Sequence, residues 1–329
     1  MTALWSRGAA SSLVLLAGAI LLPVAPAFAV DKVSLAYTQT LYSAHIIIAR
    51  EKGYFTKHDL DVEPKLFTAG RLTLDAVMAG AIDMCATAET PMTAAVMAQL
   101  PIAVVARMAK ATPTTLVNGD SGIKTLQDLK GKKLGVSIGS GSEVYLFNVL
   151  AKAGLKPSDT TYVNLRPEDM PGALANGSVD AINTWQPNIA NAERLLGGKA
   201  KVLDTAGIYN ETWDLVMMQD YLKTHERQAT AMIRALLDAE AFIRDNRAET
   251  IDILSKVVGV DRNVVESSWS NFEFRVALDP ALLDILQAHS RWRIATGNLP
   301  QGVTSVPDFR KVIFTGPLNA ADPKRVTGY

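Results

Sequence analysis

Ala79-Gly80-Ala81-Ile82-Asp83-Met84 runs on to Glu89-Thr90-Pro91, and Asn176-Gly177-Ser178-Val179-Asp180-Ala181 runs on to Trp185-Gln186-Pro187. The two stretches echo each other. In each, a helical pattern stops at Gly, a short apolar strand follows with Asp near its start, and Pro opens the next helix. A Gly just past the last turn lets a helix end in a left-handed conformation. Pro at the first helical position starts a helix without losing a needed N–H. Each stretch therefore aims the carboxyl end of a strand and the N-terminus of a helix at one point. One such point suits a ligand; two, about a hundred residues apart, predict two lobes facing one another across a cleft.

Outward from the first echo, strands and helices alternate. Lys32 to Tyr37 reads as a strand and Ser43 to Lys52 as a helix ending at Gly53. Leu60 to Glu63, Ile82 to Ala86 and Ile102 to Met108 read as strands, with helices over Leu72–Ala79 and Pro91–Gln99 between them. Such alternation predicts βαβ units and a parallel sheet.

A second unit begins near residue 116. Strands are expected at Leu134–Ile138, Thr161–Leu165, Val179–Thr184 and Lys201–Leu203, and helices at Glu143–Ala153, Met170–Ala175 and Ile189–Leu196. Trp213 to Met218 reads as the crossing back. From Tyr221 the pattern turns helical: Met232, Ile233, Leu236, Leu237, Ala239 and Phe242 follow a period near 3.6. These later helices have no sheet of their own and should pack on the first lobe. The organisation expected is a leader over 1–29, lobe 1 over 30–115, lobe 2 over 116–215, and a helical return to lobe 1 over 216–329.

The leader carries Arg7, an apolar run from Leu13 to Leu22 and a small-x-small site at Ala27-Phe28-Ala29. That is a secretory signal, cut near Ala29. The run is too short, and too interrupted by Pro23 and Pro26, for a spanning helix of roughly 20 apolar residues. Export to the periplasm follows, with no direct membrane insertion. The remainder has 32 basic against 33 acidic side chains, so no charge excess points to nucleic acid. The single Cys85 permits no internal disulfide, and about 300 residues bury enough apolar surface to fold without one.

Ligands of open α/β sheets bind beyond the carboxyl ends of strands. Helix starts there offer unpaired N–H groups to an anion or polar head. The corners are Gln39 to Ser43, Thr68 to Arg71, Thr87 to Thr90, Gly139 to Glu143, and Thr184 to Gln186. Arg71 could clamp an anionic head, and equally could be a solvated first-turn Arg. Glu89 could be a cleft acid meeting a cationic group, or a residue stabilised by the helix dipole. Ser140 and Glu143 read as a capping box, either a cap alone or one whose spare N–H and hydroxyl groups also meet a ligand. Trp185 could offer a broad apolar face, or lobe core; Tyr42 and Gln39 are comparable candidates. The His residues are scattered, with no HExxH, Cys/His cluster or GxSxG elbow in the sequence, so no catalytic residues, metal or cofactor are expected.

On these residues the chain resembles the solute-binding proteins of ABC importers for sulfonates, nitrate and taurine, with relatives that bind thiamine precursors. The resemblance runs through Ala49-Arg50-Glu51-Lys52-Gly53-Tyr54-Phe55, Leu60-Asp61-Val62-Glu63, both echoes, Asp128-Leu129-Lys130-Gly131-Lys132-Lys133 and the Gly139-Ser140 loop. It implies an α/β, type II periplasmic binding fold: two lobes joined by hinge strands close on a small organic solute, such as a sulfonate, taurine or a similar anion or zwitterion. The solute then passes to permease subunits at the inner membrane, the binding protein being a monomer. By position it implies a pocket of Gln39, Tyr42, Thr87, Glu89, Ser140, Ser142 and Trp185. The chain departs from the family pattern at Gln186, where Asp is frequent, and at Arg71, where Pro is frequent. Alternatives are an exported enzyme on the same fold, acting on a small heterocycle, and a periplasmic ligand sensor.

Overall fold

Gly80 and Gly177 both take left-handed backbone, φ +70° and +75°, so both echoed helices end where the sequence says. The Asp that follows each has one job in both lobes. Asp83 Oδ2 accepts from Ser34 N and Ser34 Oγ, each at 2.7 Å, and Asp180 Oδ2 accepts from Lys133 N at 2.8 Å. Each carboxylate thus ties its own strand to the parallel strand beside it, at Ser34 within the first strand and at Lys133, where the neighbouring strand of the other lobe begins. The prolines sit off the expected first position: Pro91 is the third residue of its helix, and Pro187 precedes its helix.

The computed structural model describes residues 1–3, 30–299 and 302–329, so all of the expected leader beyond residue 3 lies outside the described residues. The first lobe opens with β1 (Asp31–Thr38), α1 (Ala44–Glu51), α2 (Tyr54–Lys57), β2 (Leu60–Phe67), α3 (Gly70–Met78), β3 (Met84–Ala88), α4 (Glu89–Met97) and β4 (Ile102–Ala111). The chain crosses at Thr112-Pro113 into β5 (Thr114–Asn118), β6 (Lys133–Val136), α5 (Gly141–Lys152), β7 (Thr161–Asn164), α6 (Met170–Ala175), β8 (Ala181–Thr184), α7 (Asn188–Leu195) and β9 (Ala200–Val202). It returns through residues 203–210 into β10 (Glu211–Met218). There follow α8 (Gln219–Thr224), α9 (Glu226–Asp245), α10 (Arg247–Val258), α11 (Arg262–Ser268), β11 (Phe272–Ala277), α12 (Pro280–Thr296) and α13 (Gly316–Ala321).

Two sheets result, ordered β11-β4-β10-β3-β1-β2 and β7-β6-β8-β5-β9. The βαβ units pair in parallel as expected. Neither sheet is wholly parallel. The chain that leaves lobe 1 enters lobe 2 as β5, antiparallel to β8 and β9. The chain that comes back is β10, antiparallel to both β3 and β4. A returning strand arrives from the far lobe and must run against its neighbours. β10 starts at Glu211, inside the stretch expected for lobe 2. β11, absent from the helical reading of the C-terminal part, adds a sixth strand on β4.

β1 from Leu35 onward and all of β3 are buried, as strands covered on both faces must be. α9 turns Ala229, Met232, Ile233, Leu236 and Ala239 inward, onto α1 and α13. Beside this core, Arg107 on β4 is 2% exposed. Its guanidinium donates to Asp279 at 2.8 Å and Glu273 at 3.1 Å. Removing Arg107 takes this partner from the part-buried Asp279, while Glu273 keeps Lys110 at 2.8 Å. Arg107→Ala should therefore lower the unfolding free energy by about 3 kcal/mol or more, read as a shifted denaturant midpoint.

Candidate functional site

The carboxyl ends of β1 and β3 and the starts of α3 and α4 face the start of α5 across the gap between the sheets. Lobe 1 supplies Thr40, Tyr42, Gly70, Arg71, Ala88 and Pro91 to the inner cleft, lobe 2 supplies Ser140, Gly141 and Trp185, and β10 supplies Glu211 and Trp213. The space left there is about 10 Å³, roughly what one water molecule needs, so a solute can enter only where the lobes part. Thr40 and Trp185 also border a wider outer chamber of about 180 Å³, with Gln39, Thr68 and Pro187 on its wall.

The two glycines at the helix starts are there for space. A Cβ on Gly70 would lie 2.7 Å from Trp213 Cη2, and one on Gly141 would fall on Glu211 Oε1. α5 is capped by Ser140, whose hydroxyl accepts from Ser142 N at 3.2 Å. Glu143 closes back onto Gly139 N at 2.8 Å, one residue earlier than the expected capping box. Tyr42 leans on Trp213, ring centroids 5.5 Å apart, and meets Phe272 edge-on at 5.0 Å.

Three buried carboxyls surround the start of β10. Glu211 reaches across from lobe 1 to the start of α5 and is 3% exposed. Burial first, then the charges of Glu89 and Asp214, push its carboxyl well above the usual range, while the Tyr42 hydroxyl bonds to it and pulls the other way. Glu89 is fully buried; its Oε2 accepts Thr212 N at 2.6 Å, and its Oε1 accepts the Tyr209 hydroxyl. Burial raises Glu89, and those bonds partly offset it. Asp214 is raised well above its ordinary value, chiefly by burial. His289 Nε2 stands 3.7 Å from Glu89 Oε1, yet burial holds that imidazole down to about 3, so it brings no positive charge. Among the described residues no group of three His, Cys, Asp or Glu side chains is placed to hold a metal ion.

Four of the eight residues expected at the site line the inner cleft: Tyr42, Arg71, Ser140 and Trp185. Gln39 stands on the outer chamber, its amide donating to Val257 O. The other three lie behind the walls. Thr87 Oγ1 donates to Gly70 O at 2.7 Å, and Ser142 Oγ donates to Asn183 O at 2.6 Å; both are fully buried. Glu89, expected as a cleft acid, spends its oxygens on β10 and the return crossing instead. The cleft's acid is Glu211, which sequence reasoning passed over, as it did Trp213's place on the wall. The available signal was an acidic and an aromatic residue opening the strand that crosses back.

The family model described as NMT1/THI5 like matches residues 40–250. A putative binding protein of Brucella abortus (strain 2308) is 26% identical over 230 residues, covering 68% of this chain and 70% of that one. A putative aliphatic sulfonates-binding protein of Escherichia coli (strain K12) is 31% identical over 204 residues, 61% of this chain and 63% of that one. Among solved structures, the alkanesulfonate-binding protein of Xanthomonas axonopodis pv. citri bound to MOPS superposes with a TM-score of 0.75 at 24% identity. It covers 86% of this chain and 98% of its own, so the chain has the periplasmic-binding-protein fold.

Two stability measurements follow from the buried acids. An acid raised in the fold keeps a proton that the unfolded chain gives up. Its stabilising contribution is whole below the unfolded carboxylate pKa, about 4.3 for Glu, and drains as pH rises through the folded value. Glu211→Gln should therefore melt higher than the native chain at pH 8, by about 2–4 °C per kcal/mol relieved, with the gap closing near pH 4. Glu89→Ala should melt lower than the native chain, most clearly near pH 4, because at higher pH the relief of its own raised carboxyl offsets part of the loss. It strands the Thr212 N–H and the Tyr209 hydroxyl, at about 1–3 kcal/mol for each buried group left unpaired, read by calorimetric unfolding.

Proposed function

The chain belongs to the NMT1/THI5-like family, and we propose that it is the solute-binding component of an ABC importer, exported by the 1–29 leader and working in the periplasm as a monomer. One lobe comprises 30–111 and 211–329, the other 114–202, with the crossings at 112–113 and 203–210 between them. The observation that carries this reading is the shared wall of the inner cleft: Tyr42 and Arg71 from one lobe, Ser140 and Trp185 from the other, Glu211 and Trp213 from the strand that returns between them. A solute touching all three biases the closed arrangement, by as much as its affinity for closed exceeds that for open. A permease that reads the closed face then receives loaded protein.

The cargo is a small organic solute of the sulfonate or taurine kind, as the relatives' names suggest. Binding rather than turnover is supported by those names and by Cys85, buried in β3 with its thiol raised by burial. Among the described residues no helix is long and apolar enough to cross a membrane.

The test is calorimetry on a panel of sulfonates, amino sulfonates, nitrate and heterocycles, with small-angle scattering on each hit. A ligand should shrink the radius of gyration as the lobes close. Trp185→Ala should weaken any hit at least tenfold, or about 1.4 kcal/mol. Hits that bind without compaction, or that Trp185→Ala leaves unchanged, overturn the cleft-closure reading.

A further inference from the structure

A second cavity lies between the lobes, away from the cleft. Lobe 2 contributes Ile138, Glu143, Phe147 and Tyr162, and α12 of lobe 1 contributes Trp292 and Thr296. It measures about 410 Å³, within the range of small-molecule sites; an apolar cavity of about 150 Å³ already holds benzene. The helix period separates it from the cleft. Successive helical residues turn by about 100°, so Glu143 and Phe147 share one face of α5. Gly141, on the cleft wall, lies nearly opposite them. Trp292 and Thr296 share a face of α12 in the same manner.

The walls are aromatic and carry unmade hydrogen bonds. Phe147 meets Trp292 edge-on across the lobe boundary, ring centroids 5.7 Å apart. The Trp292 indole N–H and the Tyr162 hydroxyl are both buried, and neither has a hydrogen-bond partner among the described residues. Buried donors are seldom left so. Burial, then the charge of Glu143, raises the Tyr162 hydroxyl, so it keeps its proton, and hydroxyl and carboxylate lie near one another. Glu143 gives Oε2 to Gly139 N at 2.8 Å, and its other oxygen takes no donor among the described residues. Arg293 is not on the wall: it is buried, with its Nη1 donating to Asn298 O at 3.3 Å.

We propose that this cavity is a second ligand site, for a neutral planar ring carrying one group that both accepts and donates a hydrogen bond, such as a phenolic hydroxyl or a carboxamide. The ring lies against Phe147 and Trp292. Its polar group accepts from Tyr162 or Trp292 and donates to the spare oxygen of Glu143. A carboxylate on the ring would meet Glu143 as a like charge. A plain hydrocarbon would leave all three polar groups as they are. Because the walls come from both lobes, an occupant favours this arrangement over any in which α12 and α5 part. The site is therefore an effector position, acting on lobe opening without touching the cleft.

Calorimetry with phenol and benzamide as probes tests the proposal, with toluene and benzoate as controls. Both probes should bind at least fivefold tighter than either control. Tyr162→Phe and Trp292→Phe keep a ring and strand no partner, so both should fold; each should weaken phenol at least fivefold and leave toluene within twofold. Thr296→Trp, which fills the cavity, should abolish phenol binding. Trp185→Ala, on the cleft wall, should leave phenol within twofold. Small-angle scattering with saturating phenol should give a radius of gyration equal to or below that of the free protein. Failure of both probes to bind overturns the proposal, as does toluene or benzoate matching phenol. Phenol binding lost in Trp185→Ala but kept in Tyr162→Phe belongs to the cleft and overturns it too. Expansion with phenol overturns the bridging of the lobes. None of these outcomes bears on the importer reading, which the solute panel tests separately.

Discussion

The return crossing hangs on one buried carboxyl. Glu89, the first residue of α4, accepts the Thr212 N–H of β10 at 2.6 Å and the Tyr209 hydroxyl of the crossing itself. That places β10 against the end of β3 and sets where the second crossover enters lobe 1. The alternative partner for Glu89 is water, which the closed packing excludes. Thr212 Oγ1 lies between Glu89 Oε2 at 3.1 Å and Asp214 Oδ2 at 2.7 Å, and a hydroxyl donates only once. The chain of contacts closes if a protonated Asp214 donates a hydrogen bond to Thr212 Oγ1 and the Thr212 hydroxyl donates in turn to Glu89. The upward push on Asp214 from burial agrees with that. Three polar side chains so arranged tie two strands, a helix start and a hinge into one unit.

That unit explains why the cleft has the walls it has. β10 runs antiparallel between β3 and β4, so its first residues emerge at the carboxyl end of β3, where ligands of such sheets bind. Glu211 and Trp213 alternate with Thr212 along the strand. The outer two line the cleft, while Thr212 turns back to Glu89. Trp213 in turn requires Gly70 opposite it, and Glu211 requires Gly141. The glycines at two helix starts, in two lobes, are consequences of the side chains on a single strand.

Much of this scaffold was legible in the sequence because it is local. Helix stops at Gly80 and Gly177 need only a left-handed residue at the right place. The Asp after each could be placed near a strand start, although its partners, Ser34 and Lys133, are 49 and 47 residues away. The corners Tyr42, Arg71, Ser140 and Trp185 follow from strand-to-helix punctuation. β11 and the antiparallel sense of β10 do not, since both are set by where the chain returns from. Glu89 was misplaced for the same reason: a first-turn acid looks solvent-facing until a strand from 120 residues later covers it. Glu211 stood in plain sight within Asn210-Glu211-Thr212, but only the returning strand gives that triplet a direction.

The polarity of the cleft is therefore a property of the crossing and not of the lobes. Each lobe on its own offers helix starts, which favour anions by the sum of their dipoles and unpaired N–H groups. β10 lays Glu211 against one of them, a carboxyl that burial and its acidic neighbours hold toward the protonated form, so it can meet a solute as a hydrogen-bond donor as well as an acceptor. The same two lobes could present an anion site or a cation site according to the first residue of one strand. Glu211 stands at the hinge, where one side chain on the returning strand of the first lobe lies against Gly141, the first residue of α5 in the other lobe.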